Sequence, residues 1–245
     1  MEPVLTHIQL GGLSMFLRTF VVMLSCILML TSCSSVSPKN DPRTFDQAVE
    51  EAENLVAQKN YAAAAELYRT VIFKEPTIGR HYLRHGEILE RIDRDKDARK
   101  VYKLALEKVP EDDPDHSELV LRLALINANH LYRLDEAEEL LFSLPNSSIE
   151  RHDLAAFLYY QAAQYEAALE LLNKALQQVR EADQKALLMY HASLIYHGLE
   201  DEKNTFGSLY HAINLSEHLG LIRDIENFWE LINEKTLGET GLPKD

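Results

Sequence analysis

The sequence predicts an all-α protein, a solenoid of stacked helix pairs, and two observations support this. Only 9 of 245 residues are Gly and 8 are Pro, while 46% are apolar, which is typical of a helix-rich globular chain. A fixed period of 34 residues also runs through the body of the chain, as expected for stacked helix pairs. Three residues show it: Ala64, Tyr68 and Pro76 recur as Ala98, Tyr102 and Pro110.

The residues of the second unit suit two antiparallel helices. Gly86 and Ala98 are small where the helices should cross, Tyr82 and Tyr102 fill the space between pairs, and Pro110 ends the second helix. This pattern resembles the tetratricopeptide repeat family, with its G-x2-Y, A-x3-F and final Pro. The resemblance implies a right-handed superhelical stack whose first helices line a concave groove that receives peptides or partner helices.

The other units follow the same frame less closely. We expect about five pairs within 44–216, at 45–74, 79–108, 117–143, 149–179 and 184–216. Ala98 and Ala137 lie 39 residues apart, so an insertion precedes the core of unit three, and Thr205 replaces the small residue in unit five. Residues 217–235 predict a helix that caps the open end of the stack, and 236–245 predict a tail. Capping boxes are predicted at Thr44-x-x-Gln47 and Ser147-x-x-Glu150.

The amino-terminal segment has the layout of a secretory signal. Arg18 precedes an apolar run that is too short to span a membrane, and small residues follow, so a spanning helix is the weaker alternative. Leu30-Thr31-Ser32-Cys33 resembles the lipobox of bacterial lipoproteins, which implies diacylation of the Cys33 thiol and cleavage just before it. We therefore expect a signal peptide at 1–32, with translation starting at Met15, and a lipidated Cys with a polar tether at 33–43. Ser34, rather than Asp, follows Cys33 and favours the outer membrane, on its periplasmic face.

Composition and motifs argue against several functions. The formal net charge of -14 repels phosphate backbones, so no nucleic-acid partner is expected. His81 and His85 have the i, i+4 spacing of metal ligands, but no partner helix offers further ligands, so no metal is expected. The sequence holds no nucleophile elbow, H-E-x-x-H motif, phosphate loop or dinucleotide fingerprint. We expect no enzyme activity, no cofactor and no small-molecule substrate.

The function that these patterns favour is protein binding. The preferred interpretation is a lipid-anchored scaffold or assembly factor for a bacterial envelope complex, with a protein or peptide partner in the periplasm. A self-assembling structural protein and an unrecognised envelope hydrolase are the alternatives. By the resemblance, ten residues should line the groove, with a basic end and an aromatic end: Arg84, Glu87, Arg91, Arg122, Ile126, Asn129, Phe157, Tyr160, Tyr190 and Leu194.

Overall fold

The computed structural model describes residues 37–239, with side chains to residue 233 in the last helix. The predicted signal peptide and Cys33 lie outside the described residues. The chain divides into two units, Met1–Asp41 and Pro42–Asp245. The described part of the first unit holds one 3-10 helix, Pro38–Asn40. Within 37–239, no helix has the length and apolar character needed to cross a membrane.

The second unit confirms the all-helical prediction. From residue 42 to 239, the described chain forms five consecutive helix pairs and one further helix, and it contains no strand. The first four helices are α1 (Phe45–Ala57), α2 (Tyr61–Lys74), α3 (Gly79–Arg91) and α4 (Asp95–Lys108). The next four are α5 (His116–Leu125), α6 (Leu134–Ser143), α7 (Ile149–Gln161) and α8 (Tyr165–Gln178). The last three are α9 (Ala182–Gly198), α10 (Glu202–Leu215) and α11 (Leu219–Glu239).

The turn inside each pair repeats one backbone conformation. One residue per turn has a positive φ between 53° and 58°, in the left-handed region that commonly ends a helix. None of the five is a glycine, although glycine adopts this conformation at the lowest energetic cost. They are Lys59, Asp93, Tyr132, Ala163 and Glu200. The repeated turn gives five pairs of common design despite their diverged sequences.

Small residues allow the helices to approach closely, as the sequence predicted. Ala98 and Tyr102 are fully buried in α4, and a Cβ atom added to Gly86 of α3 would overlap the Tyr102 ring. Thr205, which replaces the small residue in the fifth pair, is buried as well and donates a hydrogen bond to the Asp201 carbonyl at 2.8 Å. This local bond satisfies its hydroxyl at the crossing.

Of the two predicted capping boxes, one is present and the other is not. Thr44 and Gln47 form the predicted capping box at the start of α1. The predicted box at Ser147 is wrong by one residue, because Ser148 is the N-cap of α7 and accepts the bond from the Arg151 N–H at 3.1 Å. At the third pair, a longer loop over 109–115 and a π-helical segment, Ile126–His130, absorb the predicted insertion.

The final helix is present, and its placement adds to the prediction. It packs against α10, but it also runs back along the inside of the stack to pack against α3. On α10, Tyr210 is 66% exposed and Ile213 is 48% exposed. The outer face of the last pair is therefore left partly open. The helix also continues to Glu239, into the segment that was expected to be a tail.

Candidate protein-binding groove

The groove is the surface that α3, α5, α7 and α9 present to α11. Helix α11 places one apolar stripe against it, and each residue of the stripe is at most 7% exposed. The stripe is Leu221, Ile225, Phe228 and Ile232, in one apolar cluster with Phe157, Tyr190 and Leu194. The Phe228 ring lies edge-on to that of Tyr190, with 6.3 Å between ring centroids. The groove is thus filled by a helix of the same chain.

The first turn of α11 is joined directly to α3. The Leu219 N–H donates a hydrogen bond to Oε1 of Glu87 at 2.6 Å, which satisfies one of the open donors at a helix start. One residue further, a Cβ on Gly220 would overlap the Glu90 carboxylate. The two helices can approach this closely only because residue 220 has no side chain.

A charged cluster lies between the start of α11 and the stack, and we call it the Arg223 cluster. It consists of Arg223 and Asp224 on α11 with Glu90, Asp95 and His130 on the stack. The Arg223 guanidinium donates to the Glu90 carbonyl, to Asp95 Oδ1 at 2.8 Å and to Asp224 Oδ1 at 2.8 Å. His130 Nε2 lies 3.2 Å from Asp224 Oδ2, and its Nδ1 lies 3.6 Å from Asp95 Oδ2. Arg223 is 6% exposed, so this pairing is shielded from solvent.

The environment of the cluster shifts the pKa values of its members, including His130 and Glu90. Burial alone would lower the pKa of His130, but the hydrogen bond and the charge of Asp224 outweigh it, and the pKa is raised. Burial raises the pKa of Glu90 to about 7, although Arg122 and the Tyr102 hydroxyl favour its charged form. The Tyr102 hydroxyl donates to Glu90 Oε1 at 2.6 Å. Glu90 therefore changes charge near neutral pH, next to the interface with α11.

The arginines of the predicted basic end are all paired with carboxylates. Arg84 contacts Glu53 at 2.9 Å and Glu87 at 3.0 Å. The other two pairs are Arg122 with Glu118 at 3.0 Å and Arg91 with Glu226 of α11 at 2.5 Å. This end of the groove is consequently a set of ion pairs and not a free cationic surface. It differs in this respect from the sequence-based expectation.

Two spaces remain beside the helix. A cavity of about 30 Å³ lies under α11, lined by members of the Arg223 cluster together with Phe157 and His191. Its lining is partly polar, and it is large enough to hold a water molecule. An open depression of about 650 Å³ adjoins the start of α11, where Arg84, Glu87 and Arg122 face the acidic residues Glu181 and Asp183.

The ten residues predicted for the groove all lie around α11, but in different settings. Glu87, Arg122, Ile126, Phe157, Tyr190 and Leu194 are buried, and Arg84, Arg91, Asn129 and Tyr160 are half-buried. Whether they bind a partner stays a prediction. The five members of the Arg223 cluster were not predicted as site residues from the sequence. The signal for Arg223 and Asp224 was a pair of charges between the apolar residues Ile222 and Ile225, whereas the sequence held no signal for His130.

The histidines take structural positions. His81 lies edge-on to Phe45 at 5.2 Å, and His85 stacks on Tyr68 at 6.4 Å between ring centroids. His191 and Asp153 form a buried pair at 2.6 Å between α9 and α7. Across the described residues, no group of three or more His, Cys, Asp or Glu could hold a metal ion.

No protein-family model matches the chain, and no curated protein matches it by sequence. Solved structures do match its fold. A chain of the APC/C hetero-tetramer Cut9–Hcn1 superposes with a TM-score of 0.55 and 12% identity, over 73% of this chain and 34% of that chain. The fold is a tetratricopeptide solenoid. The protein spans about a third of the length of that Cut9–Hcn1 chain.

Two shorter solenoids show weaker similarity. PilW, a type IV pilus biogenesis factor, matches with a TM-score of 0.47 and 19% identity, over 75% of this chain and 84% of that chain. PilF from Pseudomonas aeruginosa matches with a TM-score of 0.47 and 17% identity, over 76% and 83% of the two chains.

Proposed function

We propose that the protein is a lipid-anchored scaffold of the bacterial envelope, and that its solenoid binds a protein partner during the assembly of an envelope complex. The complex would be a pilus, secretion, export or peptidoglycan machine. The groove is the main support for this proposal. It offers an apolar and aromatic surface with paired charges at its rim, the usual anatomy of a protein interface. A helix already lies in it, so its dimensions suit a helical ligand.

A pull-down from detergent-solubilised membranes tests partner binding at the groove. Tyr160 and Tyr159 are neighbours on α7 and make a matched pair. Tyr160 packs against the apolar cluster that contains Phe157 and Tyr190, while Tyr159 is 42% exposed. We expect Tyr160→Ala to reduce partner recovery at least fivefold, and Tyr159→Ala to leave it unchanged. Equal recovery from both variants would argue against the groove as the binding surface.

The anchor is tested by metabolic labelling with a palmitate analogue. The chain has two cysteines, Cys26 in the predicted signal and Cys33 in the lipobox, so each serves as the control for the other. We expect label on the wild type and on Cys26→Ser, and none on Cys33→Ser. A wild-type protein without label would contradict the lipoprotein assignment.

A second candidate function is self-assembly, and the open face of the last pair favours it. Besides Tyr210 and Ile213, Trp229 of α11 is 47% exposed, and its ring contacts Phe206 at 5.8 Å. An apolar face of this kind at the end of a solenoid can stack on another copy. A molar mass that rises with concentration, and stays constant in Tyr210→Asp, would support this function. A monomeric mass throughout would reject it.

A further inference from the structure

Helix α11 resembles a bound ligand more than a sixth repeat unit. It packs more extensively against α3 than against α10, to which the short link 216–218 joins it. From Gly220 to Ile225 burial reaches both sides of the helix, whereas beyond Ile225 only the stripe through Phe228 and Ile232 is buried. Its first part is therefore inserted between elements of the stack.

The contact between α11 and the groove also differs in kind from the contacts between pairs. Small and apolar residues such as Gly86, Ala98 and Ala168 dominate the pair crossings. The interface with α11 combines its apolar stripe with the Arg223 cluster, the ion pair of Arg91 with Glu226 and the cavity of about 30 Å³. Water can replace such polar contacts more readily than apolar ones, so local opening at this interface costs less free energy than separation of two pairs.

We propose that α11 is an internal occupant of a helix-binding groove, and that the partner is an amphipathic helix carrying the same residue pattern. This inference rests on the proposed function and specifies the partner. The pattern has four apolar residues at i, i+4, i+7 and i+11, occupied here by Leu221, Ile225, Phe228 and Ile232. An Arg-Asp pair, Arg223 and Asp224, lies between the first two of these residues, at i+2 and i+3.

The Arg-Asp pair gives the groove its selectivity. The Arg must satisfy Asp95 and the Glu90 carbonyl, and the Asp must accept from His130. A helix with the apolar stripe alone would leave Asp95 and His130 without these partners in a shielded site, which is strongly unfavourable. The pair also fixes the direction and register of the bound helix, since the apolar stripe alone would allow it to slide by one turn.

A peptide-binding experiment tests the proposal on residues 42–245, a unit that contains all three apolar clusters of the solenoid. The probe is a fluorescein-labelled synthetic peptide with the sequence of residues 217–236, followed by fluorescence anisotropy. Ile225→Asp places a charge in the buried stripe and should release α11 from the groove. Leu231→Asp is the matched control, because Leu231 lies on the same helix and is 51% exposed.

We expect the Ile225→Asp protein to bind the peptide at least tenfold more tightly than the wild type and the Leu231→Asp protein do. A peptide carrying Arg223→Ala should bind the Ile225→Asp protein at least tenfold more weakly than the unmodified peptide. Equal affinity of all three proteins, with Ile225→Asp still helical by circular dichroism, would overturn the proposal.

If Ile225→Asp fails to fold, native-state hydrogen exchange on the unmodified protein tests whether α11 leaves the groove. The amides of α11 should exchange at least tenfold faster than those of α9, through an opening that leaves the rest of the solenoid protected. Exchange of α11 only through global unfolding would show that it is a permanent part of the core, and the proposal would be wrong.

The partner pull-down separates this inference from the proposed function. Recovery that rises with Ile225→Asp and falls with excess peptide supports both. Recovery that excess peptide leaves unchanged would preserve the scaffold function and reject the groove as the site of the helix. Peptide binding without any recovered partner would preserve the helix-binding groove and reject the proposed scaffold function.

Discussion

Replacing Gly86 with alanine should destabilise the protein, although alanine is the better helix former. The substitution gains about 1 kcal/mol in helix propensity. The new methyl group would overlap the Tyr102 ring, which is fully buried and hydrogen-bonded to Glu90 at 2.6 Å. Overpacking of this kind costs about 1–3 kcal/mol, and disturbing the Tyr102 hydrogen bond costs about 1 kcal/mol more. We expect a net loss of about 2 kcal/mol in the free energy of unfolding.

The control is the same substitution at Gly207, also inside a helix. Apart from the adjacent backbone of its own helix, a Cβ added there would meet nothing within 4 Å, so only the propensity gain of about 1 kcal/mol remains. Urea unfolding of residues 42–245, followed by far-UV circular dichroism, measures both variants. Opposite signs at the two positions are expected. A Gly86→Ala protein as stable as Gly207→Ala would refute the close crossing of α3 and α4.

Three further predictions concern the groove. Arg84→Ala should reduce the free energy of unfolding by about 1–3 kcal/mol, because it leaves the buried Glu87 carboxylate without its cation, and urea unfolding would show it. Phe157→Ala removes a ring that is 1% exposed and should cost about 3–5 kcal/mol in the same assay; a loss below about 1 kcal/mol would contradict its burial. Glu90→Gln tests the pH dependence: the folded pKa of about 7 lies above the ordinary value of 4.5, so the native state holds a proton that the unfolded state releases between these values. Glu90 therefore raises the free energy of unfolding of the wild type as the pH falls from 7 to 4.5. In Glu90→Gln, which cannot take up this proton, the rise should be smaller by up to about 3 kcal/mol in urea unfolding.

The helix pairs were predictable because their determinants are local and repeated. Small residues such as Ala98 recur at a fixed spacing, and a helix crossing needs them there whatever the rest of the unit contains. The five turn residues were less accessible, because residues such as Lys59 and Tyr132 carry no local preference for a positive φ. A backbone hydrogen bond that closes the turn, such as that from the Asn60 N–H to the Leu55 carbonyl at 2.8 Å, stabilises this conformation, and the residue type does not indicate it.

The position of α11 could not be read from its sequence for a different reason. Apolar periodicity shows which face of a helix is buried, but not which surface buries it. Arg223 and His130 are separated by 93 positions, and nothing about either residue in the sequence indicates that the two side chains meet. The groove residues followed from the repeat frame. The placement of α11 depends on tertiary contacts, which the repeat spacing does not specify.

The bond from Leu219 to Glu87 links residues 132 positions apart and has a mechanical consequence. An open solenoid behaves as a spring, because each unit touches only its neighbours and the array can stretch, twist or fray from either end. The connection from α11 to the second pair acts as a strut: it stiffens the array and couples the unfolding of distant units. With the strut in place, the array should resist bending and melt as one body. Without it, the array should become compliant and unravel from its termini.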